Sequence, residues 1–155
     1  MEIAIIVYSN TGHTLKVARR LEEALAADGH AVRLKELETT ERVRMSNTDD
    51  VELKDNPSIE GYDALVFAAP VWGGKPASPM GRYLDQLSSL EGKKVACLAT
   101  GVFPYGWGRK QTTEQMEAVC EAKAATVCAV GSVGWWSFRR GRQIANVVER
   151  LRASF

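Results

Sequence analysis

The chain predicts a doubly wound α/β fold, a parallel sheet with helices on both faces, and three observations point there. Apolar runs short enough to be strands alternate with amphipathic stretches of helical period along the whole length. The first, third and fourth runs are near-continuously apolar, as strands are when both faces are covered by helices. Each of those three runs ends in a loop of glycine, hydroxyl or aromatic residues, where such folds bind ligands, beyond the carboxyl ends of the strands.

The elements follow in order. Glu2–Tyr8 reads as a buried strand through Ile3, Ile5, Ile6 and Val7. Leu15–Ala27 reads as a helix whose apolar face is Leu15, Ala18, Leu21 and Leu25, stopped by Asp28-Gly29. In His30–Leu37, Val32 and Leu34 alternate with Arg33 and Lys35, the pattern of a strand nearer an edge. Glu38–Gly61 is a long polar, acidic connection with room for one short helical turn. Asp63–Pro70 is a third strand, Pro76–Leu90 a helix with proline tolerated in its first turn, and Val95–Ala99 a fourth strand ending in Thr100-Gly101. Thr112–Ala124 reads as a helix, Thr126–Val133 as the fifth strand, and Gln143–Leu151 as a closing helix. At 155 residues, 1–155 is expected to form one domain.

Composition narrows the function. No apolar run approaches the roughly 20 residues that span a bilayer, and no secretory leader is visible, so a cytoplasmic protein is expected. Cys97, Cys120 and Cys128 show no CxxC spacing; Cys97 and Cys128 lie in apolar runs that suit reduced, buried thiols. Two distant histidines without a cysteine cluster argue against a metal site. Net charge is +1, yet residues 1–92 carry ten basic and fifteen acidic side chains and residues 93–155 ten and four. The basic part is sharpest at Arg139, Arg140 and Arg142, without the aromatic repeats or motif that would mark a nucleic-acid binder.

The most informative segment is Ser9-Asn10-Thr11-Gly12-His13-Thr14, between a strand and a helix. Unpaired N–H groups at a helix N-terminus, three hydroxyls and a glycine that admits close approach make a pocket for phosphate. A second loop, Pro70-Val71-Trp72-Gly73-Gly74, and a third, Thr100-Gly101 through Tyr105 and Trp107, each join aromatics to glycines. An aromatic face beside accessible backbone suits a planar conjugated ligand.

These residues together resemble the flavodoxins, in the short-chain form, over nearly the whole chain. The resemblance implies a flavodoxin-like three-layer, five-stranded parallel sheet of strand order 2-1-3-4-5 and non-covalent FMN. It implies that Ser9 to Thr14 hold the phosphate, that Trp72 and Tyr105 lie over the two faces of the flavin with Trp107 as a substitute, and that the Gly73–Gly74 peptide bonds flavin N5 on reduction. The sequence departs from the strongly acidic flavodoxins at Lys75, Arg82, Arg109 and Lys110, which would raise the redox potential and disfavour a basic partner. The first functional expectation is an electron-transfer protein serving a redox partner protein or a small-molecule acceptor. The alternative is an FMN-dependent NAD(P)H:quinone-type reductase. A flavin-free interaction module, with Trp135-Trp136 beside Arg139-Arg140 as its docking surface, is the third. No side chain stands out as a catalytic acid or base.

Overall fold

The computed structural model describes residues 1–43, 51–102 and 108–155. In chain order the elements are β1 (Glu2–Val7), α1 (His13–Ala27), β2 (Ala31–Glu36), β3 (Ala64–Trp72), β4 (Lys75–Pro76), α2 (Ser78–Gln86), β5 (Lys94–Gly101), α3 (Arg109–Ala122), β6 (Thr126–Gly134) and α4 (Arg140–Arg152). The sheet runs β2-β1-β3-β5-β6, and these five strands pair in parallel. Counting only them, the order is 2-1-3-4-5, the three-layer arrangement that the resemblance implies.

Pleat alternation divides the core. Ile3, Ile5 and Val7 join Val17, Leu21 and Leu25 of α1 and Ile144, Val147 and Leu151 of α4 on one face. Ala4 and Ile6 join Phe67, Met80, Tyr83, Leu84 and Met116 on the other, under α2 and α3. All five side chains from Ile3 to Val7 are fully buried, which is why that run carries no polar alternation. Strand β2, at one edge, keeps Val32 and Leu34 only half-covered.

Several expectations change. The sixth strand, β4, was not foreseen: Gly73 and Gly74 both have positive φ, 59° and 78°, and fold β3 back onto Lys75 and Pro76 as a two-residue hairpin. That turn shortens α2 from the expected Pro76–Leu90 to Ser78–Gln86. Cys128 is exposed rather than buried. It is the extra residue where β6 slips against β5 between Val95 and Ala96, on an edge strand, and its thiol reaches the Val95 carbonyl at 3.3 Å. The described residues of 38–61 contain no helical turn but a single antiparallel bridge, Thr39 to Leu53. Among the described residues, no helix is long and apolar enough to cross a membrane.

Candidate functional site

Chain order reverses between β1 and β3: β2 lies on one side of β1 and every later strand on the other. Beyond the carboxyl ends there, a cavity of ≈ 160 Å³ is lined by Asn10, Thr11, His13, Thr14, Pro70, Val71, Trp72, Thr100, Gly101 and Val102. Three loops far apart in sequence thus meet at the switch point of the sheet.

The first loop is built around Gly12, whose φ of 89° only glycine adopts readily. The Ser9 hydroxyl accepts from the N–H groups of Gly12 (3.1 Å) and Leu15 (3.3 Å), and Lys16 N–H donates to the Gly12 carbonyl at 3.0 Å. Ser9 and Gly12 therefore shape the turn rather than line the cavity. The N–H groups of Thr11, His13 and Thr14 have no acceptor among the described residues. Buried Thr14 and Thr100 share a hydroxyl–hydroxyl hydrogen bond of 2.7 Å. One of the two donates to the other, so the pair retains a single hydroxyl hydrogen for a ligand.

The second loop places Trp72 9% exposed, its ring edge-on to Tyr8 at 5.7 Å between centroids. Trp72 and Gly73 also border a second cavity of ≈ 510 Å³, with Lys75, Ser78, Arg82, Asp85 and Gln115 on its wall. The Ser78 hydroxyl there is buried without a partner among the described residues. Gly74 packs against Gly108: a Cβ on Gly108 would stand 3.3 Å from the Gly74 Cα and 3.1 Å from Val71. Gly101 is as constrained, because a Cβ there would sit 2.9 Å from the stem of buried Arg109. Tyr105 and Trp107, the aromatics expected from the third loop, lie outside the described residues.

Sequence reasoning named His13 and the Trp135–Arg140 corner separately and missed the contact that joins them. The Trp135 ring stacks on His13 at 4.0 Å and 12°, and the Arg140 guanidinium covers Trp135 at 4.6 Å. Lys16 Nζ lies 5.9 Å from the same ring. Burial, then the charges of Arg140 and Lys16, hold the His13 imidazole below its ordinary 6.5, so it is neutral at pH 7. Nothing local in the sequence links His13 to Trp135; only the approach of the β6 end to the N-terminus of α1 does.

Among the described residues, the chemistry of the first cavity is that of an anion site: free amides, a neutral imidazole and hydroxyls, with two cations behind and no carboxylate on its wall. Its volume suits a phosphate ester more than a whole mononucleotide, whose remaining surface would lie over Trp72. Among the described residues no cluster could hold a metal ion.

The family model for NADPH-dependent FMN reductases matches residues 1–135. The chain belongs to that family. A NAD(P)H dehydrogenase (quinone) of Archaeoglobus fulgidus is 25% identical over 131 residues, covering 74% of this chain and 68% of that protein. A flavodoxin of Megasphaera elsdenii is 27% identical over 136 residues, covering 84% and 85%. Among solved structures, a Lactobacillus acidophilus flavoprotein in complex with FMN superposes with a TM-score of 0.67 at 20% identity, covering 94% and 97%. This member of the FMN reductase family is flavodoxin-like in fold, and its cofactor is FMN.

Proposed function

We propose that this FMN reductase family member works as an electron-transfer flavoprotein, reduced by NADPH and oxidised by a protein or small-molecule acceptor. The observation that carries it is the convergence of three loops on one anion-binding cavity at the switch point. Bound FMN would supply hydride and single-electron chemistry; the chain contributes binding, orientation and field. The amides of Thr11, His13 and Thr14 would hold the phosphate, with one hydroxyl hydrogen from the Thr14–Thr100 pair. Lys16 and Arg140 would balance its charge without touching it. Trp72, braced by Tyr8, would wall one side of the ring, and the Gly73–Gly74 peptide would face its edge. Tyr105 and Trp107 remain the expected partners of the opposite face.

A dinucleotide donor is favoured over a protein donor by the second cavity. It opens beside Trp72 and Gly73, and Lys75, Arg82 and a Ser78 hydroxyl without a partner among the described residues offer cations and a donor to a second, anionic substrate. Its ≈ 510 Å³ falls within the range of small-molecule sites. Free thiols at Cys97 and Cys120 suit a reducing, cytoplasmic setting. The hydrogen bond to Cys120, together with burial, pushes the Cys97 thiol above its ordinary value, so it is no nucleophile. The test is anaerobic mixing of the FMN-loaded protein with NADPH. Rapid bleaching of the flavin band is expected; a band that NADPH leaves intact while dithionite bleaches it would leave a carrier fed by a protein donor.

A further inference from the structure

The corner between β6 and α4 carries an exposed surface that does not border the phosphate cavity. Trp136 is 65% exposed and Phe138 fully so, a large apolar area for one short loop. With Trp135, Ser137, Arg140 and Gly141 they border an open depression of ≈ 580 Å³. Arg139 and Arg142 stand exposed next to it, and no acidic residue occurs between Thr126 and Val148.

The corner is held in shape. Trp135 N–H donates to the Gly101 carbonyl at 2.7 Å and Trp136 N–H to the Val102 carbonyl at 2.9 Å, tying it to the loop after β5. The Ser137 hydroxyl accepts from Arg139 N–H and Gln143 Nε2, while Gln143 Oε1 accepts from Gly134 N–H. Arg140 donates to the Trp135 carbonyl and covers its ring, and that ring also stacks on His13. Two aromatic side chains are therefore presented to solvent by a hydrogen-bonded frame that also supports the phosphate cavity. Flat aromatic faces beside guanidinium groups match a purine with phosphates: the rings stack, and each guanidinium forks onto phosphate oxygens.

Resting on NADPH as the donor, we propose that this corner seats the adenosine 2′-phosphate end of the dinucleotide. Trp136 and Phe138 flank the adenine, and Arg139 and Arg142 take the 2′-phosphate. Arg140, occupied by Trp135, serves as the wall between this seat and the FMN phosphate. The corner then discriminates NADPH from NADH, since two arginines without a phosphate gain nothing from the second.

Calorimetric titration of the FMN-loaded protein with adenosine 2′,5′-bisphosphate and with 5′-AMP reads the seat without any redox step. The bisphosphate is expected to bind at least tenfold tighter, one charge-assisted pair being worth about that factor. Arg139→Ala with Arg142→Ala should erase the difference, and Trp136→Ala should weaken both ligands. In steady state the double variant should raise the KM for NADPH about tenfold and leave that for NADH in place. Equal binding of the two nucleotides, or a preference that survives the double variant, overturns the proposal. Bleaching by NADPH with an unchanged KM in the variant would overturn this seat and spare the donor. Tight bisphosphate binding without bleaching would sink the donor and leave the seat standing.

Discussion

At the scale of single residues, His13 reports most on the site. It stacks on Trp135 beside two cations, and both burial and charge disfavour its protonation. An NMR titration of the FMN-free protein should find its midpoint below 6.5. Arg140→Ala should move that midpoint up, and FMN should raise it further by placing a dianion nearby. An unmoved midpoint in Arg140→Ala would deny the coupling. The sign for stability follows: a histidine with a lowered folded value loses stability as pH falls from the unfolded value to the folded one, where the unfolded chain binds the proton first. This pair was invisible in the sequence because stacking joins residues 122 positions apart. The hydroxyls of Ser9, Thr11 and Thr14 were legible, being consecutive around one glycine, but not their division of labour. Ser9 turned out to accept backbone N–H groups, and Thr14 to pair with Thr100.

Among the elements, the loops act through close backbone approach. Gly108 has φ 75° and meets Val71 and Gly74, so Gly108→Ala is strained twice over. It should lower stability by about 1 kcal/mol or more and weaken FMN by at least tenfold. Gly141→Ala, in open space inside α4, should leave FMN affinity unchanged in the same fluorescence titration. Equal effects of the two would show that the Gly74–Gly108 contact does not shape the site. Helix α2 offers a separate check. Tyr83 is buried, its hydroxyl donates to the Pro57 carbonyl at 2.6 Å, and burial pushes its pKa up to about 12. Tyr83→Phe strands that carbonyl, and urea unfolding should show a loss of about 1 kcal/mol with FMN affinity intact. Strands β1, β3 and β5 were readable because full burial leaves an unbroken apolar run. The return strand β4 was not, because two residues have no period and Gly-Gly reads equally well as an open loop.

For the molecule as a whole, the arrangement of charge sets it apart from a strongly acidic carrier. Lys75, Arg82, Lys16 and Arg140 surround the two cavities at the carboxyl edge of the sheet. Screening falls within about 10 Å at 0.1 M salt, so reduction by NADPH should slow as ionic strength rises. A rate independent of salt would remove the field from the account. The fold order could be anticipated from alternating elements and a resemblance, since right-handed crossovers leave few topologies. Which loops touch could not, because that depends on how far each strand extends past its neighbours. The central claim is that the loop after β1 grips a phosphate. Its most direct test compares the dissociation constants of FMN and riboflavin in the parent and in Thr11→Ala with Thr14→Ala. The parent should bind FMN far more tightly than riboflavin, and the variant should lose at least tenfold of that ratio with riboflavin nearly unaffected. Equal weakening of both ligands, or a ratio left intact, would contradict it.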